Sequence, residues 1–407
     1  MPSRKRSRLW FDLHSWIGLK LTLFMSFVLI TGTLAVISNE LDWLTHDSMR
    51  VEPQTMSERA SWGDIYAALH TAHPQWQFSY IVEPIDPWFS VLVYAQTPQG
   101  QRRLVDVDPY KAEVRGDRHW MSFQRFFRNI HRHLMLPVKI GVPLVSALSL
   151  PMILSMISGL IIYKKFWRGF FNVPRRGRNT RIFNGDLHRL LGLWSLWFLI
   201  VISASSVFYL AESLGWQAPP FGKLQQAAQA EFQLEATDID RYAERAHEVL
   251  PGFRIAALQL PTQPGRPLVF QGYTDGTWLV RPRASYVAFD PANGELLGSH
   301  RSSDANLHQR ISEMADPLHF GYFGGITTKL TWFVFGLGLS ALSITGVIIY
   351  AKRLQKSHTA NKEAQPSSGP WAIAWQGMGY WKWIGVAVIV VALALTPIEA
   401  MACLPSL

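Results

Sequence analysis

Hydrophobic residues in this chain gather into five long runs instead of recurring at short intervals. The runs are 17–38, 136–163, 190–210, 330–350 and 380–398, and each reaches the roughly 20 residues that a helix needs to cross a bilayer. The third and fourth carry no charge. The first, second and fifth carry one lysine each near an end, Lys20, Lys139 and Lys382, where a long side chain snorkels to the interface. Between the runs the period changes. SWGDIYAALHTAHP (61–74) and TDIDRYAERAHEVLP (237–251) have helical spacing, the first behind a Ser N-cap candidate. Stretches of period two follow each of them. They are FSYIVEPI, WFSVLVYAQ and RRLVDVDPYKAEVRG after the first, and FRIAALQLP, RPLVFQGY and SYVAFDPANGELLG after the second. These predict antiparallel strands.

Mean hydropathy is close to zero, so the apolar concentration, not the average, marks a membrane protein. The net charge of +10 raises the question of nucleic acid, but the basic residues lie where topology places them. SRKRSR (3–8), KKFWRGFFNVPRRGRNTR (164–181) and AKRLQK (351–356) flank the runs on one side. That side is cytoplasmic by the positive-inside rule, and no basic face is left for a nucleic-acid partner. The segments 39–135 and 211–328 are then exported. The first run is too long for a signal-peptide core and lacks a small-x-small site, so it reads as an uncleaved anchor. Cys403 is the only cysteine, which excludes internal disulfides, CxxCH attachment of haem and cysteine-held clusters.

The chain repeats itself. DLHSWIGL (12–19) leads through an exported segment to SGLIIYKK (158–165), and DLHRLLGL (186–193) leads through another to TGVIIYAK (345–352). Within each exported segment a helix precedes strands, and Asp-Pro-x-x-x-Glu turns close both, DPYKAE (108–113) and DPANGE (290–295). The expected fold is a membrane α-helical bundle. Two helix–module–helix repeats give a four-helix core, a fifth C-terminal helix is added, and two exported α+β modules of about 60 residues stand outside. The divisions are an N-terminal tail and first span (1–38), module one (39–135), span two (136–163), a basic loop (164–187), span three (188–210), module two (211–328), span four (329–351), a linker (352–379) containing HTANKEAQPSSGP, and span five with the C-terminus (380–407).

In this order of motifs, over roughly residues 8–355, the chain resembles the PepSY-associated transmembrane family of bacterial inner-membrane proteins, and its modules resemble PepSY domains. The resemblance implies a link to iron uptake. Some members are similar to di-haem reductases acting on ferric siderophores in the periplasm.

Thirteen histidines are present, and their placement is informative. His14 and His188 are equivalent in the repeat, with Asp12 and Asp186 two residues before them as N-cap candidates. Gly18 and Gly192 follow four residues later, on the same helical face, where a missing side chain leaves room for a flat macrocycle. At the other membrane face His131 and His319 correspond, with His133 as the alternative to His131. Two imidazoles from facing helices provide the axial nitrogens of a haem b held without covalent attachment. Two such haems are expected, one from His14 and His188 and one from His131 and His319. Zinc would call for three or four ligands, and a proton relay for carboxylates within the spans. His119 and His308, 12 and 11 residues before His131 and His319, are candidates for the substrate side, against a default of solvated loop positions. His70, His73 and His247 read as surface residues, and Trp197, Phe198, Trp332 and Phe335 as packing aromatics.

The first functional expectation is therefore an inner-membrane reductase. Electrons from a cytoplasmic or quinol donor cross the bilayer and reduce an exported acceptor, which the resemblance makes a ferric siderophore, releasing Fe(II). Another class remains open: a membrane-anchored binding or inhibitory module regulating an exported enzyme. A permease is disfavoured because no charge lies deep in the helices.

Overall fold

The apolar runs become helices, but these helices start and break where hydropathy gives no sign. The computed structural model describes residues 2–55, 58–177, 179–222, 224–360 and 369–401; Cys403 and part of the linker, 361–368, lie outside them. Along the first half come α1 (Pro2–Lys20), α2 (Thr22–Val36), α3 (Ser38–Thr45) and α4 (Trp62–Ala72), then β1 (Gln77–Val82), β2 (Val91–Gln96), β3 (Arg102–Val107) and β4 (Val114–His119). The half ends with α5 (Phe123–His133), α6 (Val138–Ser146) and α7 (Ser149–Ile162). The second half has α8 (Thr180–Trp194), α9 (Leu196–Ser213), α10 (Ala236–Val249), β5 (Arg254–Gln259), β6 (Leu268–Tyr273), β7 (Ser285–Phe289) and β8 (Leu296–His300). Then follow α11 (Leu307–Phe320), α12 (Gly325–Ala360), α13 (Pro370–Gly377) and α14 (Trp381–Met401). Two compact units result, one helical and one built on a sheet.

Among the described residues three helical stretches are long and apolar enough to cross a membrane, Val138–Ile162, Leu196–Ser213 and Tyr322–Gln355. The count rises to five if each of two bent pairs is one span. The first pair, Ser7–Lys20 with Thr22–Val36, bends by 67°, and the second, Trp371–Gly377 with Trp381–Pro397, by 99°. The first bend centres on Leu21 (φ −95°, ψ 1°), and α8 passes into α9 at Ser195 with almost the same angles (−86°, 4°). Both residues stand seven positions after the repeated histidine. The chain leaves the regular helical well at the same place in each half. The second span divides into α6 and α7 at 147–148, one turn before Pro151, which has no N–H to bond the Ala147 carbonyl.

Two expectations change here. The linker of 352–379 is partly helical, because α12 continues to Ala360 and α13 spans Pro370–Gly377. Lys20 does not snorkel outward; its Nζ donates to the Gly377 carbonyl at 2.7 Å, at the end of α13 where the helix dipole favours a cation. Small and hydroxylic residues let the helices approach. Ser26 and Ser343 hydroxyls are 2.7 Å apart, and a Cβ added at Gly336 would come within 2.6 Å of Thr33 Oγ1. This is the packing expected where burial of apolar surface drives nothing. Trp197, Phe198, Trp332 and Phe335 pack on one another with ring centres 4.8–5.9 Å apart.

The sheet unit corrects the picture of two separate modules. All eight strands join one antiparallel sheet in the order β4-β3-β2-β1-β5-β6-β7-β8. The halves meet at β1 and β5, with Tyr80 opposite Gln259 and Val82 opposite Ala257. Apolar residues alternate onto one face, where Ile81, Val93, Val105, Leu258, Phe270 and Phe289 are buried with Leu69 of α4 and Ile239 of α10. The two helices are themselves tied, since the Asp240 carboxylate accepts from Ser61 Oγ and from the Gly63 amide, both at 2.8 Å. The repeated turn folds twice in the same way. Asp108 N–H donates to the Glu113 carbonyl and Asp290 N–H to the Glu295 carbonyl, both at 2.8 Å.

Candidate functional site

Of the histidines singled out by the repeat, His14 and His188 meet within the helical unit. Their ring centres are 6.3 Å apart and the ring planes lie at 85°. Each ring is oriented from its own half. His14 Nδ1 donates to the Ser155 carbonyl at 3.1 Å and lies 2.9 Å from Ser158 Oγ. His188 Nδ1 lies 3.0 Å from Thr345 Oγ1. The Thr345 hydroxyl donates to the Ala341 carbonyl at 2.8 Å, so its oxygen is left to accept. Both Nδ1 atoms therefore carry the proton, and both Nε2 atoms present a lone pair.

The glycines that clear space are not the expected ones. Nothing lies within 4 Å of a Cβ at Gly18, and Gly192 faces Leu342. Gly159 and Gly346 instead flank the imidazoles, each with its Cβ position 3.5 Å from the Cε1 of His14 and His188 respectively. They follow Ser158 and Thr345 directly, so Ser-Gly and Thr-Gly form the cradle. The signal was visible in the repeated SGLIIY and TGVIIY motifs. Asp12 and Asp186 are not N-caps either, because α1 begins at Pro2 and α8 is capped by Asn179. Asp186 takes two bonds from the Arg175 guanidinium, at 2.7 and 3.1 Å, and another contact from Arg189. These guanidinium contacts hold its carboxyl down to about 2. The aspartate anchors the basic loop against α8.

His131 sits on α2. Its Nδ1 donates to the Val28 carbonyl at 2.9 Å, which puts the ring proton on Nδ1, and its ring covers Gly32 so closely that a Cβ there would lie 2.5 Å from Cε1. Leu134 and Met135, just beyond, hold φ near +58° and are buried with Phe24, Val28, Ile130 and Ala392. Two successive non-glycine residues in this region cost about 1–2 kcal/mol each, offset here by burial. His133 is buried and its backbone packs against Gly141.

The two histidine levels are closer than opposite membrane faces would make them. Ser343, two residues from the Thr345 that holds His188, bonds Ser26, while His131 rests on Val28–Gly32. Measured along α2 at 1.5 Å per residue, the step is on the order of 10 Å.

The other candidates lie in the sheet unit. His119 ends β4, exposed, with Nδ1 accepting from the Met121 amide at 3.0 Å. His308 and His319 occupy the first and last turns of α11, both half-buried. That helix is clamped by Arg281, which donates to Glu313 and Asp316, each at 2.9 Å. The Asp42 carboxylate caps α5, accepting from the Phe123 and Gln124 amides at 2.8 and 3.0 Å.

The donor set fits a porphyrin iron at His14 and His188. A metal–imidazole bond of about 2 Å, with the ring centre about 1 Å behind its nitrogen, puts two in-line rings about 6 Å apart. The ring centres are 6.3 Å apart, a length compatible with two imidazoles on one iron, and the 85° between the planes does not forbid it because each ring turns about its own bond. Among the described residues no three of His, Cys, Asp and Glu gather as a metal site.

Comparison with known proteins bears on the whole chain. A family model described as PepSY-associated TM region matches residues 11–353. Over 251 residues the sequence is 25% identical to a protein of Pseudomonas aeruginosa described only as uncharacterized, covering 55% of this chain and 62% of that protein. The chain thus spans less than two thirds of this curated relative's length.

Proposed function

The chain belongs to the PepSY-associated TM family, and from that premise we propose that it is a b-type haem protein of a bacterial inner membrane, passing electrons across the bilayer to reduce an exported acceptor. The observation that carries this reading is the His14–His188 pair, with ring centres 6.3 Å apart and both Nδ1 atoms engaged by Ser158 and Thr345. Haem b bound there supplies the one-electron chemistry. Ser155, Ser158 and Thr345 hold the imidazoles in the ligating tautomer, and Gly159 and Gly346 pack beside the rings. His131 is the proposed ligand of a second haem, with its tautomer set by Val28; the pairing with His319 is carried over from the repeat. The proposed acceptor is a ferric siderophore, by the resemblance of the motifs. Reduction of its Fe(III) to Fe(II) loosens the chelate and frees the metal for uptake.

Purified full-length protein tests the reading. It should be red, with b-type absorption bands that shift on reduction, and should hold two haems per chain. His131→Ala and His319→Ala should each lose the same single haem. A colourless preparation would overturn the reading and leave a membrane-anchored PepSY module that binds or inhibits an exported enzyme.

A further inference from the structure

One cleft in the helical unit belongs to none of the residues used so far. It is lined by Thr180 and Asn184 of α8, Val347, Ile348, Ala351 and Lys352 of α12 and Trp371 of α13, and has a volume of about 190 Å³. Asn184, Val347 and Ala351 are buried, while Thr180 and Trp371 are exposed at the mouth. Asn184 is only 8% exposed, and its Nδ2 donates to the Thr180 carbonyl at 2.8 Å. Its Oδ1 is a hydrogen-bond acceptor on a residue that lines a mostly apolar cleft. A ligand hydroxyl can donate to it.

The cleft also adjoins the His188 site from two sides. Asn184 is one helical turn before His188, on the same face of α8. Val347 is the residue after Gly346, whose Cβ position lies 3.5 Å from the His188 ring. The apolar wall suits a flat ring, the acceptor oxygen of Asn184 suits a hydroxyl, and Lys352 and Thr180 give a polar exit.

We propose that this cleft binds a lipid-borne hydroquinone and that this is where electrons enter. The proposal rests on the haem reading above. One ring hydroxyl donates to Asn184 Oδ1, the ring packs between Ile348 and Trp371, and the apolar tail stays in lipid. Oxidation breaks both O–H bonds and leaves the quinone. The two protons pass to water at the mouth beside Thr180 and Lys352, and the two electrons leave singly for the one-electron acceptor held by His188.

The test uses the full chain in detergent with an azido-quinone carrying a decyl tail. Photolabel should map to peptides covering 180–189, 347–352 or 371–377. Asn184→Leu should lower labelling about tenfold, the loss of one hydrogen bond, and Trp371→Ala, altered at the exposed mouth, should lower it without changing haem content. Decyl-hydroquinone should reduce the wild-type haem and do so about tenfold more slowly in Asn184→Leu, whereas dithionite reduces both alike. Label elsewhere on the chain, unchanged labelling in both variants, or reduction by a soluble reduced flavin but not by the hydroquinone would overturn the proposal. Labelling can be read without haem, so a colourless but labelled protein would sink the haem reading alone.

Discussion

Gly32 has little freedom, because the His131 ring occupies the place of its missing side chain. Gly32→Ala should force the imidazole off the Val28 carbonyl, at an overpacking cost of about 1–3 kcal/mol. The change should appear as loss of one haem per chain with the His14–His188 haem retained. Gly346→Ala is the contrasting case, since its Cβ would meet His188 at an ordinary contact of 3.5 Å and haem content should hold. This distinction was not legible in the sequence. Helical spacing picked Gly18 and Gly192 because they share a face with the histidines, but clearance around a ring comes from the helix opposite, which spacing along one helix cannot reveal. The histidines themselves were legible because the repeat doubled a weak signal. His70 was misread as a surface residue; it is half-buried between Tyr66 and Phe78, at 4.4 and 5.2 Å. Burial lowers its pKa below 6.5, so the folded state prefers the neutral ring. That contribution is complete above pH 6.5 and is lost as pH falls through the folded value. The melting temperature of the wild type should therefore drop more between pH 7 and 5 than that of His70→Leu, followed by scanning calorimetry.

At the scale of elements, two bent helix pairs engage one another. Lys20, at the end of α1, reaches the last carbonyl region of α13. Trp16 meets Trp381 edge to face at 5.7 Å, and a Cβ at Gly385 would lie 2.9 Å from Leu23 Cβ. The fifth helix thus braces the α1–α2 bend, between the segment bearing His14 and the seat of His131. Lys20→Met removes a charged donor and should cost about 1.5–3 kcal/mol, read as a lower thermal midpoint in detergent with a shift in the haem potentials. Lys20→Arg should recover much of both. The bend was invisible in the sequence because residues 17–38 form an uninterrupted apolar run, and hydropathy does not report backbone angles. Strand positions were legible from their period of two. The joining of β1 to β5 was not, because pairing between two edges depends on partners that no local pattern encodes.

For the molecule as a whole, a duplicated sequence builds two different kinds of object. In the sheet unit the two halves share one hydrogen-bonded ladder and one apolar core. In the helical unit each half contributes an imidazole and the hydroxyl that orients it, so that one site needs both halves. That division of labour is the central claim, and haem stoichiometry measures it most directly. Haem per chain should be determined by absorption on His14→Ala, His188→Ala and the double variant, beside the wild type. If the two rings hold one iron, each single variant loses one haem and the double variant loses no more. Retention of the full complement in either single variant, or a double variant that loses twice as much as each single one, would contradict the account.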